Sequence, residues 1–195
     1  MLDTDILIKN GGFSKEFEKN QIIFSQGDSP KYFYQIITGR VKMNNYNQEG
    51  REFIQGVFSC GESFGEPPLF IDHNYPANAI AIDPTTILMI DKLDLFEILK
   101  SNPSLCFDVF KTLSNKLLYK STMAPVISCN DSQRRIMTLL EFIKENEMTN
   151  DKSPIDLTRQ QIADLTGLRV ETVIRTIKDM EAQKQVQIKK GKVFL

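Results

Sequence analysis

Glu171, Arg175 and Lys178 recur at steps of four and three residues, so on a helix they share one face, while Val173, Ile177 and Met180 share roughly the opposite one. An arginine fork can bond guanine O6 and N7 together, and a glutamate can accept from the cytosine amino group. Glu171 and Arg175 therefore have the chemistry to read a G·C pair. As an exposed i,i+4 salt bridge the same two residues would only solvate a helix. From Arg169 to the end there are seven Lys/Arg against three acids, although the whole chain carries a net charge of −1. A locally basic end suits a phosphate-facing surface, and it equally describes a solvated helix with a lysine-rich tail.

The remaining chemistry-bearing residues are sparse. Cys60, Cys106 and Cys129 are odd in number and far apart, which points to free thiols in a reducing compartment and not to a disulfide framework. An iron–sulfur cluster normally needs four clustered thiolates. His73, the single histidine, cannot build a multi-histidine metal centre and is expected in a loop. There is no nucleophile–base constellation, no phosphate-cradling glycine loop before a helix and no dinucleotide fingerprint. No enzyme and no metal site is expected.

The elements that must position Glu171 and Arg175 can be traced backwards from them. Three helical segments are predicted at Ser132 to Asn146, Arg159 to Thr166 and Val170 to Gln183, with Thr158 and Gln161 forming a capping box and Gly167 allowing the sharp turn before the last. This is helix-turn-helix spacing, and a closing hairpin, Val186 to Ile188 with Lys192 to Leu195, makes a wing. Upstream, Leu105, Val109, Leu113, Leu117 and, more weakly, Ser121 and Ala124 form one stripe on a long helix. That stripe would pack either on the chain's own β-domain or on a second copy in a two-stranded dimer. Pro125 removes a backbone donor, so a kink or hinge is expected there. Asp91 to Lys100 reads as a further helix, and Asn102 with Pro103 as the start of the long one.

Between Phe13 and Ile90 the chain breaks into short β-rich runs at Gln21 to Phe24, Tyr32 to Ile37, Val41 to Tyr46, Glu52 to Phe58, Ala77 to Ile82 and Thr86 to Ile90, separated by turn residues. Such spacing predicts an antiparallel sandwich or barrel. With 25% charged and 41% apolar residues the composition is that of an ordinary globular chain. Its apolar runs are too short for a bilayer, and its start is acidic and mixed, unlike a signal peptide. A cytoplasmic protein with no membrane partner is expected.

The run Leu157-Thr-Arg-Gln-Gln-Ile-Ala-Asp-Leu-Thr-Gly-Leu-Arg-Val-Glu-Thr-Val-Ile-Arg175 resembles the DNA-binding signature of the catabolite-activator/fumarate-nitrate-regulator (CRP/FNR) family. Tyr34-Gln-Ile-Ile-Thr-Gly-Arg-Val-Lys42 resembles that family's strand–turn–strand, Gly61-Glu-Ser-Phe-Gly-Glu66 its phosphate-cassette entrance, and Asn102-Pro103 the start of its dimer helix. The resemblance implies an α+β architecture in three parts: a β-roll sensor over 1–100, a dimerisation helix and hinge over 101–130, and a winged helix-turn-helix over 131–195. It implies a homodimer joined through Leu105, Val109, Leu113, Leu117 and Ala124. It also implies double-stranded DNA as partner, with RNA polymerase and a small-molecule effector as further ones.

Carried over by position, Glu171 and Arg175 contact bases, and Thr158, Gln160 and Thr172 contact phosphates. The basic residues Arg169, Lys178, Lys189 and Lys190 are added as backbone contacts. Two departures stand out: Val170 replaces an arginine found in some members, and Ile174 replaces a small residue beside the reading face, where it could touch a thymine methyl. The effector pocket would be formed by Gly65, Glu66, Ala77 and Asn78 with Lys120 and Ser121 from the long helix. Where cyclic-nucleotide-binding relatives carry an Arg-Ser pair, this chain has Tyr75-Pro-Ala-Asn78. A phosphate there would lose its charge-assisted bonds, so cyclic AMP is not expected to bind. The cysteine cluster of oxygen-sensing members is absent, and a haem would rest on His73 or Met side chains alone. The competing readings are a small-ligand module whose helical tail docks protein, and a cupin-like enzyme, which one histidine cannot equip with a metal centre.

Overall fold

The structure is a computed structural model that describes residues 2–50, 52–146 and 153–195. The β-rich half folds as two four-stranded antiparallel sheets. Strands β1 (Phe13–Phe17), β2 (Ile22–Phe24), β3 (Tyr32–Thr38), β4 (Val41–Tyr46), β5 (Glu52–Phe58), β6 (Ser63–Phe64), β7 (Asn78–Ala81) and β8 (Thr85–Asp91) are ordered β1-β8-β3-β6 in one sheet and β2-β7-β4-β5 in the other. Period-two alternation buries β3 and β8 on both faces. Tyr34, Ile36, Ile87 and Met89 join the aromatic core with Phe24 and Phe64, whereas Phe33, Leu88 and Ile90 join a second core with Leu7, Leu69 and Leu95. These last three come from α1 (Thr4–Lys9), α2 (Glu66–Ile71) and α3 (Lys92–Ser101). Gln35, fully buried on this side, accepts from the Leu2 amide and donates to the Leu2 carbonyl, each at 3.0 Å, so its burial leaves no polar group unpaired.

Helix α4 (Pro103–Ser128) is a single 26-residue element that passes through Pro125 without ending there. Two compact units divide within it, one reaching Asn115 and the other beginning at Lys116. Its predicted stripe does not act as one surface. Leu105 and Val109 are buried in the second core of the β-unit, with Leu113 packed against it, and so cannot face a partner. Leu117 and Ala124 point outward. The exposed apolar face is carried instead by Phe107 (73% exposed), Phe110 (62%), Leu117 (66%) and Leu118 (62%), at i, i+3, i+10 and i+11, turned away from Leu105 and Val109. The long helix starts at Asn102 and Pro103 as expected, and the Asn102 side-chain amide also donates back to the Ile98 carbonyl at 2.9 Å and closes α3.

The second unit contains α5 (Ser132–Asn146), α6 (Arg159–Thr166), α7 (Val170–Ala182) and the hairpin β9 (Gln187–Lys189) with β10 (Lys192–Phe194). Ile136, Leu139 and Leu140 of α5, Ile162 of α6, and Val173, Ile177 and Met180 of α7 are all buried. Met123 and Val126 at the end of α4 are buried too, and Tyr119 packs on Phe142 with ring centroids 4.6 Å apart. Ile155 bridges antiparallel to Val193 and adds a short third rung to the wing. Among the described residues no helix is long and apolar enough to cross a membrane.

Burial pushes the phenols of Tyr34 and Tyr119 up to about 12, and that of Tyr75 up further, where Tyr34 and Glu66 add to the effect. Free tyrosine ionises near ~10. Because the folded pKa values lie above the unfolded one, the native state holds the extra protons in between. Stability is complete below pH ~10 and falls as pH rises through about 10–12. In an alkaline titration these three tyrosines are expected to ionise together with loss of the circular dichroism signal. Their ionisation while that signal remained native would contradict the packing described.

Candidate nucleic-acid interface

Helix α6 begins at Thr158, whose hydroxyl accepts from the Gln161 amide at 3.1 Å while the Gln161 side chain accepts from the Thr158 amide at 2.8 Å. This capping box satisfies two of the helix's free donors, and it also means that the Thr158 hydroxyl has structural work to do. Gln160 is exposed, and its amide donates to Asp164 at 2.8 Å. Gly167 ends the helix at φ +68°, a left-handed conformation that glycine adopts without strain. The turn it makes sets α7 across α6.

Val173, Thr176, Ile177 and Met180 of α7 face inward. Glu171, Ile174, Arg175 and Lys178 are exposed at i, i+3, i+4 and i+7, so they lie along one outward strip. Arg169, just before the helix, is exposed and makes no side-chain cap, while Thr172 is half-buried. Glu171 and Arg175 form no ion pair with each other among the described residues. Both therefore stand free for an external partner, with Ile174, 40% exposed, between them.

The wing turns on Lys190 (φ +50°) and Gly191 (φ +79°), a two-residue loop whose paired positive φ values match the twist of its strands. Lys190 is exposed at the tip. The Lys189 ammonium lies over the Phe194 ring, 5.4 Å from its centroid, and Lys192 pairs with Asp156 at 3.1 Å. The Glu181 carboxylate accepts from the Ile188 amide at 2.9 Å and ties the wing to the end of α7.

In the β-unit the expected effector residues separate. Gly65 precedes α2 at φ +75°, and a Cβ there would stand 3.0 Å from Phe24 and 3.3 Å from Tyr75. Those two rings stack with centroids 3.7 Å apart, and Tyr34 stacks on Phe64 behind them at 5.3 Å. Glu66 is 2% exposed, and Ala77 is buried in the same aromatic core. Asn78 projects to the other side of β7: its amide donates to Asn44 at 3.3 Å and its carbonyl accepts from the Gln26 backbone at 2.9 Å. Gly65, Glu66 and Ala77 thus surround a space filled by the protein's own rings, and Asn78 does not join them. Lys120 and Ser121 are exposed on α4. Partial burial and the neighbouring Lys116 charge lower the Lys120 pKa. Among the described residues no group of three or more His, Cys, Asp or Glu is placed to hold a metal ion.

Residues absent from the sequence reading are Phe107, Phe110 and Leu118, whose exposure is decided by which face of α4 the β-unit covers. Their period was visible, but not its direction.

Residues 14–102 match the family described as cyclic nucleotide-binding domain, and residues 133–195 the Crp-like helix-turn-helix domain. The chain is similar to the global nitrogen regulator of Nostoc sp., 26% identical over 183 residues, covering 91% of this chain and 82% of that one. It is also similar to the cAMP-activated global transcriptional regulator CRP of Haemophilus influenzae, 29% identical over 173 residues, covering 86% and 77%. FixK2 from Bradyrhizobium japonicum shares the fold, with a TM-score of 0.81 at 18% identity over 94% of this chain and 92% of that one.

Proposed function

The chain belongs to the CRP/FNR family of DNA-binding transcriptional regulators, and from that premise we propose that it acts as a homodimer reading an inverted-repeat operator with the outward strip of α7. The observation that carries this reading is the two-sidedness of that helix: Val173, Ile177 and Met180 hold it in the core while Glu171, Ile174 and Arg175 are presented together without internal partners. Arg175 and Glu171 read a G·C pair, and Ile174 adds an apolar contact suited to a thymine methyl. Gln160, Arg169, Thr172, Lys178, Lys189 and Lys190 supply backbone contacts, joined by Thr158 at the positive end of α6.

Dimerisation uses Phe107, Phe110, Leu117 and Leu118, because all four are exposed and burying each such side chain contributes roughly 1.5–3 kcal/mol. The β-roll does not take cyclic AMP: its interior is occupied by Phe24 and Tyr75, and Pro76 and Ala77 stand where an Arg-Ser pair would grip phosphate. The protein works in the cytoplasm and meets RNA polymerase at its promoters.

Three outcomes are expected. Arg175→Ala should cost about 1–3 kcal/mol and relax the preference at one G·C pair, whereas Lys190→Ala should weaken all sequences alike and flatten the salt slope. Equal loss on operator and scrambled DNA for Arg175→Ala would remove its base-reading role. Phe110→Asp or Leu117→Asp should convert the dimer to monomer in sedimentation and lower operator affinity in parallel, because each would bury an unpaired charge at the seam; an unchanged dimer mass would place the interface elsewhere. Calorimetry with cyclic AMP should register no binding, and a micromolar dissociation constant that vanishes in Glu66→Gln would overturn the reading of the filled pocket.

A further inference from the structure

Within the second unit, one side chain connects the end of the long helix to the turn of the helix-turn-helix. The Arg135 guanidinium donates through Nε to the carbonyl of Cys129 at 2.7 Å and through Nη1 to the carbonyl of Thr166 at 3.3 Å. Cys129 is the first residue after α4, and Thr166 is the last of α6. The final carbonyls of a helix have no donor within it, and they form the negative end of its dipole. One cation therefore closes two helix ends together. Thr166 is fully buried and its hydroxyl is already committed to the Ile162 carbonyl at 2.6 Å, so no water replaces the arginine cheaply.

The surroundings hold Arg135 in place. Asp131 caps α5, accepting from the amides of Gln133 at 3.0 Å and Arg134 at 3.1 Å. The Ser132 hydroxyl meets that of Thr176 at 3.1 Å, which links the start of α5 directly to α7. A guanidinium is planar with donors in a rigid fork, so it fixes both the separation and the angle of the two carbonyls; an ammonium on a flexible stem does not.

We propose that Arg135 is a positioning residue: it sets the angle at which the DNA-reading helices leave α4 and thereby the half-site spacing that the dimer accepts. This rests on the reading of a dimer with two heads on one inverted repeat. The head itself is held by its own core, so loss of the strut should loosen the spacing without changing how one head reads its half-site.

The test uses the full-length protein and fluorescence anisotropy on three kinds of duplex: an operator recovered by in vitro selection, the same operator with one base pair added or removed at its centre, and a single half-site. One base pair turns a half-site by about a tenth of a helical turn, and wild type should lose ~10-fold in affinity or more. Arg135→Gln and Arg135→Lys should each lose less than ~3-fold on the same change while binding the single half-site as wild type does. Arg134→Gln, which removes an exposed neighbouring charge, should behave as wild type. Variants that keep the wild-type spacing preference, lose half-site affinity to the same extent, or fail to fold in both forms would overturn the proposal and leave Arg135 a residue of the fold alone. Wild type indifferent to spacing would overturn the two-headed reading itself, and with it this inference.

Discussion

Leu105 and Val109 anchor the first turns of α4 in the β-unit, and Met123 and Val126 bury its last turns in the helical unit. Each unit thus takes up apolar side chains from its own part of the helix, which is ~39 Å long at 1.5 Å per residue. What remains outward is a face with two phenylalanines near one end, two leucines in the middle and Ser121, Ala124 and Ser128 towards the other. The proposed dimer seam is what burial within each unit leaves exposed on this one helix. Pro125 is compatible with that role because it sits on the outward side near the end, where Ser128 bonds the Pro125 carbonyl at 2.7 Å and few turns remain to be disturbed.

The β-unit solves a different packing problem. A jelly roll that encloses a ligand leaves room between its sheets; here Phe24, Tyr34, Phe64 and Tyr75 occupy that room, and small residues, Ala77, Ala79 and Ala81, let the rings approach. Gly65 suits its φ of +75°, which L side chains rarely adopt, and a Cβ there would crowd the Phe24–Tyr75 stack at 3.0–3.3 Å. The Tyr75 hydroxyl is buried without a hydrogen-bond partner among the described residues, a cost normally avoided. Tyr34, Glu66 and Asp28 all act on it electrostatically and oppose its ionisation. A phosphate entering there would have to displace aromatic packing and sit beside Glu66.

The head achieves rigidity with few residues. Capping at Thr158, the left-handed turn at Gly167 and the buried face of α7 fix the orientation of the outward strip proposed to read DNA. Glu181 and Ile155 brace the wing from two sides. Such preorganisation suits the proposed reading, because bidentate contacts to base edges tolerate little misplacement, while lysines acting as point charges tolerate more.

The α5, α6 and α7 boundaries, the capping box, the wing and most of the strands could be read from the chain alone, because local periodicity and capping chemistry are properties of neighbouring residues. Strand β1 could not: four of its five residues are exposed, so no alternation marks it. Nor could α2, a six-residue helix whose first turn holds Pro67 and Pro68, too short for an apolar period to mark it. The period of Val173, Ile177 and Met180 also gave the outward direction of the strip that carries Glu171 and Arg175. The stripe on α4 is the opposite case. Its sequence showed apolar residues at helical spacing, but Leu105 and Phe107 are equally apolar, and only the position of the β-unit decided which of them is covered. Likewise Tyr75-Pro-Ala-Asn78 announced that a phosphate grip was missing, but that Tyr75 fills the space, that Asn78 faces away from it and that Arg135 joins two helix ends depend on residues distant in the chain meeting in space, which no local pattern encodes.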